Sequence, residues 1–349
     1  MTELSIAGRV IGPNHPPYIV AEMSANHNGM LSRALQIIAA AHAAGADAVK
    51  LQTYTADTMT LKIDHPRFLV KGNNPWDGVY LYDLYREAMT PWEWHEELFA
   101  YGRKLGITVF SSPFDGSAVE LLESLDAPAY KIASFELVDL DLIRHCASTG
   151  KPLIISTGMA SVEEVSDAVM AAREAKVQGL ILLKCTSAYP APPEMINLQT
   201  LPDLAKRFCV LAGLSDHTLG TGVSVAATAL GAVLIEKHFT LARADGGVDS
   251  SFSLEPAELA QLVSATRMAH AALGKVSYVQ EDLENSFKRY RRSLFFVRDL
   301  PAGSCVGNQD IQALRPGDGL PPKNRPDVIG RTVKQSVCRG TPVSWDVLA

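Results

Sequence analysis

Short apolar runs alternate with amphipathic stretches along the first 280 residues of the chain. A run of about four to eight apolar residues is typical of a strand buried on both faces, whereas apolar residues three and four positions apart are typical of a helix. The helical spacing occurs, for example, in LSRALQIIAAAHAAG and SVEEVSDAVMAAREAK. The pattern predicts strands at residues 18–23, 48–52, 108–112, 129–133, 152–156, 180–184, 209–213 and 232–238.

Eight strands with a helical stretch after each predict an α/β fold, the (β/α)8 or TIM barrel. The alternative is an open, doubly wound sheet, which usually carries a G-x-G-x-x-G motif after its first strand. Here the first predicted strand is followed by SANHNG, which is not that motif. We therefore expect a barrel over residues 1–280.

The pattern changes near residue 281. Residues 281–292, EDLENSFKRYRR, are charged and polar and indicate a linker. Residues 293–349 contain short β-like pieces separated by Gly and Pro, without a long helical period, which predicts a small, mostly-β domain. Because so small a domain buries little apolar surface, we expect it to pack on a partner surface.

Composition and charge narrow the possible functions. The formal net charge of −6 leaves no basic surface for nucleic acid, and no apolar run approaches the ~20 residues of a membrane span. The N-terminal residues lack the pattern of a signal peptide. Five scattered cysteines without a C-x-x-C motif favour reduced thiols in a cytoplasmic protein.

Polar side chains lie at the end of almost every predicted strand, where a TIM barrel places its active site. Lys50, Lys131 and Lys184 stand inside apolar runs, where an unpaired ammonium group would be costly. A single such lysine is usually a structural residue, but several lysines converging with hydroxyl groups predict a cradle for phosphate or carboxylate. The hydroxyl groups at these ends are Ser24, Ser111, Ser112, Ser134, Ser156, Thr186, Ser187 and Ser215.

Two histidines, His217 and His238, end the seventh and eighth predicted strands. Because these strands are neighbours in a barrel, the two imidazoles can converge on a divalent metal. Two histidines with carboxylate or water ligands would leave positions open for substrate, which is typical of a catalytic metal site. The spacing alone is a weak signal, and the chain has no H-E-x-x-H motif or cysteine pair for structural zinc.

The chain resembles the sialic acid synthase family in motifs that follow one another along almost its whole length. These are IVAEMSANHNG, GADAVKLQTYTADTMTL, FSSPFD, AYKIASFE, IISTGMAS, LKCTSAYPAP, GLSDHT, IEKHFT and LRPGDGLPPK. The resemblance implies an enzyme that condenses phosphoenolpyruvate with an N-acylated hexose, giving a nine-carbon 2-keto acid and phosphate. It also implies a (β/α)8 barrel followed by an antifreeze-like (SAF) domain, assembled as a domain-swapped homodimer.

The resemblance also implies roles for individual residues. His217 and His238 match ligands of Mn²⁺ or Mg²⁺, which would polarise the hexose aldehyde. Glu22 matches an acid that handles protons or steers the attacking water, and Arg315 matches a SAF-domain arginine that reaches the partner's active site. The residues that match phosphoenolpyruvate contacts are Lys50, Lys131, Ser111, Ser134, Ser187 and Ser215, and those on the sugar side are Gln52, Tyr189 and Asp249.

Several motifs favour the pseudaminate branch of the family, whose sugar is 2,4-diacetamido-2,4,6-trideoxy-L-altrose. Ser187 stands where N-acetylneuraminate synthases typically have Asn, and Ala133 and Phe135 stand where those enzymes have Gly. Leu51 replaces a histidine, so we expect a more apolar sugar pocket. Legionaminate and N-acetylneuraminate synthases are the alternatives within the family.

More distant alternatives belong to other classes. An aldolase or another phosphoenolpyruvate-dependent 3-deoxy sugar acid synthase would not need the SAF domain or Arg315. A purely ice- or ligand-binding module would leave the lysines and histidines at the strand ends unexplained.

Overall fold

The computed structural model describes residues 3–72, 76–278 and 282–349. The chain forms two compact units, residues 1–274 and 275–349. The boundary expected between residues 280 and 281 lies outside the described residues. In the part that the structure describes, no helix is long and apolar enough to cross a membrane.

The first unit is a closed barrel of parallel strands, as the pattern predicted. Each strand pairs with the next along the chain, and the last pairs with the first and closes the barrel. A two-stranded hairpin, β1 (Leu4–Ile6) and β2 (Arg9–Ile11), precedes it. The barrel strands are β3 (Tyr18–Glu22), β4 (Ala48–Thr53), β5 (Thr108–Pro113), β6 (Tyr130–Ile132), β7 (Leu153–Ser156), β8 (Leu180–Cys185), β9 (Leu211–Asp216) and β10 (Leu234–His238).

Helices lie between the strands and after the last one. Amphipathic spacing and local caps define them; Ser161 and Glu164, for example, form a reciprocal capping box at the start of one helix. In chain order they are α1 (Leu31–Ala43), α2 (Ala56–Met59), α3 (Leu81–Ala88), α4 (His95–Leu105), α5 (Gly116–Ser124), α6 (Leu140–Ser148), α7 (Val162–Glu174), α8 (Thr200–Phe208), α9 (Gly222–Ala229) and α10 (Pro256–Leu273).

The seventh barrel strand differs from its predicted range of 209–213. Helix α8 continues to Phe208, and Cys209 ends it in the left-handed conformation with φ of 49°. The strand therefore begins at Leu211 and continues through Ser215 and Asp216. The acid in GLSDHT, Asp216, is thus the last residue of the strand.

Alternation along the strands separates two environments. Side chains of successive residues point to opposite faces, and residues paired across parallel strands share a face. One apolar cluster fills the barrel interior at the amino ends of the strands and includes the hairpin. A larger cluster joins the outer faces of the strands to the helices. Among the described residues, the charged side chains of the interior, such as Glu22, Lys50 and Glu236, lie toward the carboxyl ends.

The second unit has its own small core. It contains α11 (Asp282–Phe287), the antiparallel pair β11 (Ser293–Phe296) and β12 (Ile311–Leu314), and α12 (Arg325–Val328). Ten buried apolar side chains, among them Leu294, Phe296 and Val343, form this core.

Candidate active site

Four charged side chains meet inside the barrel at the carboxyl ends of its strands. Lys50 Nζ lies 2.7 Å from Glu22 Oε2 and 3.7 Å from Glu236 Oε2, and Lys131 Nζ lies 3.1 Å from Glu236 Oε1. All four side chains are buried. Because an isolated charge in this interior would be very costly, each ammonium group is paired with a carboxylate. The two lysines and two acids thus form one cluster with balanced charges.

The two acids differ in proton affinity. Burial by itself would raise the pKa of Glu236, but Lys131 and Lys50 outweigh it and hold that pKa at about 2. At Glu22 burial dominates, and together with the charge of Glu236 it keeps the pKa above its ordinary value despite Lys50. Glu236 therefore acts as a lasting counter-ion, whereas Glu22 is better suited to exchange a proton.

Two hydroxyl groups contact this charged cluster, and two others lie beside each other after β6 and β8. Lys50 Nζ donates a hydrogen bond to Ser112 Oγ at 3.2 Å, and Ser215 Oγ donates to Glu236 Oε1 at 3.0 Å. The Oγ atoms of Ser134 and Ser187 lie 3.0 Å apart. Ser215 thus contacts the charged cluster and Ser134 lies beside Ser187. That these three serines contact phosphoenolpyruvate stays a prediction.

A glycine leaves room between Ser134 and Ser187. Gly158 has φ of 46°, and a Cβ atom there would lie 2.3 Å from Ser134 Cβ and 2.9 Å from Ser187 Oγ. Real Cβ atoms do not approach that closely, so a larger residue would displace both hydroxyl groups.

Ser111 does not face this site. It pairs in register with Leu51 on the outer face of the barrel, and its Oγ lies 2.6 Å from Thr53 Oγ1. Thr53 in turn lies 2.8 Å from His95 Nε2, and His95 Nδ1 donates to the carbonyl of Pro91 at 3.2 Å. A carbonyl can only accept, so in the neutral imidazole Nε2 accepts from Thr53, and Thr53 is left to accept from Ser111. The interior hydroxyl is that of the next residue, Ser112.

The third strand lysine, Lys184, also points away from the cluster. It is half-buried, and its Nζ donates to the carbonyl of Cys185 at 2.8 Å and to Thr186 Oγ1 at 3.3 Å. Its register partner Leu214 belongs to the outer apolar layer. Two of the three strand lysines therefore converge, not three.

His217 and His238 lie side by side, with ring centroids 5.4 Å apart. His217 Nδ1 donates to the carbonyl of Thr186 at 3.0 Å. Burial would lower the pKa of His217, but a hydrogen bond with Cys185 and the charge of that thiol outweigh burial and raise the pKa above its ordinary value. Burial, followed by the charge of His217, lowers the pKa of His238 well below its ordinary value. His238 is therefore neutral, the form that binds metals.

An unpaired nitrogen of His238 fits a metal ligand. Among the described residues, the buried Nδ1 of His238 has no hydrogen-bond partner. Residues 3–72, 76–278 and 282–349 contain no group of three or more His, Cys, Asp or Glu arranged to hold a metal. Two histidines would therefore supply the protein ligands and leave the other positions to water or substrate.

The residues expected on the sugar side form a connected group beside Glu22. Gln52 Nε2 donates to Glu22 Oε1 at 2.9 Å and to Ser24 Oγ at 3.0 Å, and Ser24 donates to Asp249. The ring of Tyr189 packs on His217, with centroids 4.4 Å apart. Gln52 thus contacts the acid, Asp249 is linked to Gln52 through Ser24, and Tyr189 packs near both histidines.

Two of the branch-specific residues remain candidates for the sugar pocket and one does not. Phe135 is 61% exposed and Ala133 is half-buried, both in the loop after β6. Leu51 is buried in the outer apolar layer, so it cannot make the pocket more apolar. Arg315 belongs to the second unit, where it follows β12 and is exposed.

Comparisons with known proteins agree over most of the chain. The model of the NeuB family matches residues 37–278, and that of the SAF domain matches residues 291–349. A pseudaminic acid synthase from Helicobacter pylori is 44% identical over 95% of this chain and 97% of its own. An N,N'-diacetyllegionaminic acid synthase from Legionella pneumophila is 36% identical over 94% of each chain.

A solved structure extends the agreement to the fold. The crystal structure of an N-acetylneuraminic acid synthetase from Leptospira borgpetersenii, in complex with citrate, superposes with a TM-score of 0.72 at 32% identity. The match covers 82% of this chain and 94% of that one. The chain therefore belongs to the NeuB family, the sialic acid synthase family that its motifs indicate, and carries a SAF domain at its C-terminal end.

Proposed function

We propose that this enzyme condenses phosphoenolpyruvate with 2,4-diacetamido-2,4,6-trideoxy-L-altrose, and that the product is a nine-carbon 2-keto sugar acid. The observation that carries the proposal is the buried cluster of Lys50, Lys131, Glu22 and Glu236 beside two histidines. The choice of sugar is supported by the higher identity to a pseudaminic acid synthase than to a legionaminic acid synthase, 44% against 36%.

The reaction can be written so that its atoms balance. C3 of phosphoenolpyruvate forms a bond with the aldehyde carbon of the open-chain sugar, and the aldehyde oxygen gains a proton. Water adds at C2, and phosphate leaves from the same carbon as the keto group forms. One phosphoenolpyruvate, one sugar and one water thus give one keto acid and one phosphate.

The chain's own residues divide this work. Lys50 and Lys131 bind the phosphate and carboxylate of phosphoenolpyruvate through charge-assisted hydrogen bonds. Glu22, with its raised pKa, holds or accepts a proton at the reacting carbons or steers the water. The hydroxyl groups of Ser112, Ser134, Ser187 and Ser215 complete the anion contacts, and Gln52, Tyr189 and Asp249 orient the sugar.

His217 and His238 would hold the divalent metal, Mn²⁺ or Mg²⁺. When bound there, the metal supplies a Lewis acid for the aldehyde oxygen of the sugar. The hydrogen bond from His217 Nδ1 to Thr186 holds one ring in a ligand-ready orientation.

The sugar preference can be tested by phosphate release with phosphoenolpyruvate, Mn²⁺ and a panel of acetamido sugars, with mass analysis of the products. We expect kcat/KM to be higher for the 2,4-diacetamido-6-deoxy sugar than for N-acetylmannosamine. A methyl group in place of hydroxymethyl is worth about 1–3 kcal/mol in an apolar pocket, so this contribution is roughly 10- to 200-fold. A larger kcat/KM for N-acetylmannosamine would refute the branch assignment and leave the phosphoenolpyruvate site intact.

The neighbouring serines of β5 provide a matched pair of variants. Ser112→Ala should raise the KM for phosphoenolpyruvate roughly 2- to 10-fold, because it removes one interior hydrogen bond. Ser111→Ala should leave that KM within about twofold, since its hydroxyl group bonds Thr53 on the outer face. Steady-state kinetics on both proteins decide the point, and the opposite ranking would place Ser111 in the anion site after all.

We further propose a domain-swapped homodimer in which Arg315 of one chain completes the site of the other. The exposure of Arg315 in the small second unit supports this arrangement. Glu22→Ala and Arg315→Ala subunits should each be inactive alone and regain activity in mixed dimers, because one composite site would be intact. Absence of complementation in a mixture shown to exchange subunits would place the arginine in the site of its own chain.

A cytoplasmic location is supported by the thiol chemistry. All five cysteines are free, three of them exposed. Free exposed thiols fit a reducing compartment, so the protein should be recovered in the cytoplasmic fraction of cells.

A further inference from the structure

We propose that the buried ion pair between Asp216 and Lys237 positions the two histidines that would hold the metal. This inference rests on the proposed function, because it assigns a role to residues that stand behind His217 and His238. Asp216 directly precedes His217, and Lys237 directly precedes His238. The pair is separate from the four charges inside the barrel.

Its position follows from strand alternation. Asp216 and Lys237 are register partners on β9 and β10, and their neighbours Leu214 and Ile235 belong to the outer apolar layer. Both charged side chains therefore face outward, toward the helices, while the histidine after each faces inward. Their side chains are 0% and 1% exposed, and Lys237 Nζ lies 3.0 Å from Asp216 Oδ2.

Both oxygens of the Asp216 carboxylate accept hydrogen bonds. Asp216 Oδ1 accepts hydrogen bonds from the backbone N–H of Thr218 at 2.9 Å and from its hydroxyl group at 2.8 Å. Oδ2 accepts from Ser224 Oγ of helix α9 at 2.6 Å, besides Lys237. The ammonium group of Lys237 also donates to the carbonyl of Thr218. Since Asp216 precedes His217 and Thr218 follows it, the network fixes the backbone on both sides of that histidine.

Burying this ion pair in the outer apolar layer costs free energy that an apolar pair would not. Burying two charges costs several kcal/mol per ion before their attraction is counted, and an apolar pair of similar volume is often at least as stable. Leu214 and Ile235, two residues earlier on the same strands, fill the equivalent outward positions with apolar side chains. An ion pair with hydrogen bonds has a preferred geometry, which apolar contacts lack. It therefore fixes the positions of the ends of β9 and β10 relative to each other, and with them the positions of both imidazole rings.

Metal affinity should depend on this support. Partners that orient the ligands of a metal typically change its affinity about 10- to 100-fold when they are mutated. The Kd for phosphoenolpyruvate in the absence of metal should not change when the Asp216–Lys237 pair is disrupted. Lys50 and Lys131 form hydrogen bonds with neither Asp216 nor Lys237. The two binding constants therefore separate a positioning role from general damage to the fold.

The test titrates the metal-free, full-length protein with Mn²⁺ and follows free Mn²⁺ by its electron paramagnetic resonance signal. Lys237→Met should raise the Kd for Mn²⁺ about 10- to 100-fold. Ser224→Ala, which keeps the ion pair and removes one hydrogen bond to it, should raise that Kd roughly 2- to 5-fold. Calorimetry with phosphoenolpyruvate and a chelator should give a Kd within about twofold of wild type for both.

Lys151→Met is the matched control. Lys151 also pairs with a carboxylate, Glu123 at 2.7 Å, but it lies just before β7 at the opposite end of the barrel. Its Kd for Mn²⁺ should stay within about twofold of wild type.

Each outcome separates the alternatives. An unchanged Mn²⁺ affinity in both Lys237→Met and Ser224→Ala, even with a lowered Tm, would overturn the positioning role and leave the pair purely structural. If Lys237→Met does not fold, the graded effect of Ser224→Ala alone decides in the same way. Wild-type protein that binds no Mn²⁺, or binds it equally well as His217→Ala, would overturn the metal assignment itself and this inference with it.

Discussion

Replacing His217 or His238 with alanine is expected to lower kcat by about a thousandfold or more. A metal that polarises a carbonyl supplies several kcal/mol of transition-state stabilisation, and each 1.36 kcal/mol corresponds to about tenfold in rate. The centroids of the two rings lie 5.4 Å apart, and the described residues contain no group of three or more His, Cys, Asp or Glu arranged to hold a metal. The loss should therefore be nearly complete in either single variant.

The measurement combines phosphate release with Mn²⁺ titration of chelator-treated protein. Both variants should bind Mn²⁺ more weakly, and their far-ultraviolet circular dichroism should match that of wild type. His42→Ala is the control, because His42 is an exposed residue of helix α1. Full activity of the wild-type enzyme after removal of all divalent metal would refute the metal assignment.

Replacing Lys131 or Lys50 with methionine should raise the KM for phosphoenolpyruvate roughly 10- to 150-fold. A hydrogen bond to a charged group contributes about 1.5–3 kcal/mol, and here the partner is an anion in a water-poor interior. The effect on the KM for the sugar should be much smaller. Lys131→Met additionally leaves Glu236 with the more distant Lys50, so a fall in Tm is expected as well.

Lys184→Met is the control that distinguishes loss of a phosphoenolpyruvate contact from the general effect of removing a lysine from a strand. Its ammonium group bonds its own strand and Thr186 and lies outside the cluster, so the KM for phosphoenolpyruvate should stay within about twofold. Equal KM values for wild type, Lys50→Met and Lys131→Met would place the anion elsewhere. A large effect in Lys184→Met alone would show that the converging pair had been chosen wrongly.

The barrel could be predicted from the sequence because its signals are local and repeated. Each strand is a short apolar run, each helix an amphipathic period, and the missing glycine motif argued against an open sheet. The start of β9 could not be predicted, because Cys209 adopts the left-handed conformation that usually favours glycine or asparagine. An apolar cysteine beside valine is indistinguishable from strand in a hydrophobicity pattern.

The active site was predicted less completely, for a reason of parity. The end of a run shows where polar residues begin, but not which of two successive residues faces the interior. The pattern therefore named both Ser111 and Ser112, the resemblance selected Ser111, and Lys184 was grouped with the converging lysines. The register of neighbouring strands, which the structure supplies, settles both faces. Along a single strand, counting two residues back from His238 gives Glu236. The same count marks Glu236 as an interior acid, although it received no role from the sequence.

Alternation at the ends of β9 and β10 also constrains how this protein can change in length. Insertion or deletion of one residue within either strand would reverse the faces of all residues beyond it. A histidine would then lie against the helices, and Asp216 or Lys237 would enter the barrel beside Glu236. Loops after the strands can gain or lose residues without this exchange. Variation in length is therefore tolerated a few residues beyond the histidines and excluded immediately before them.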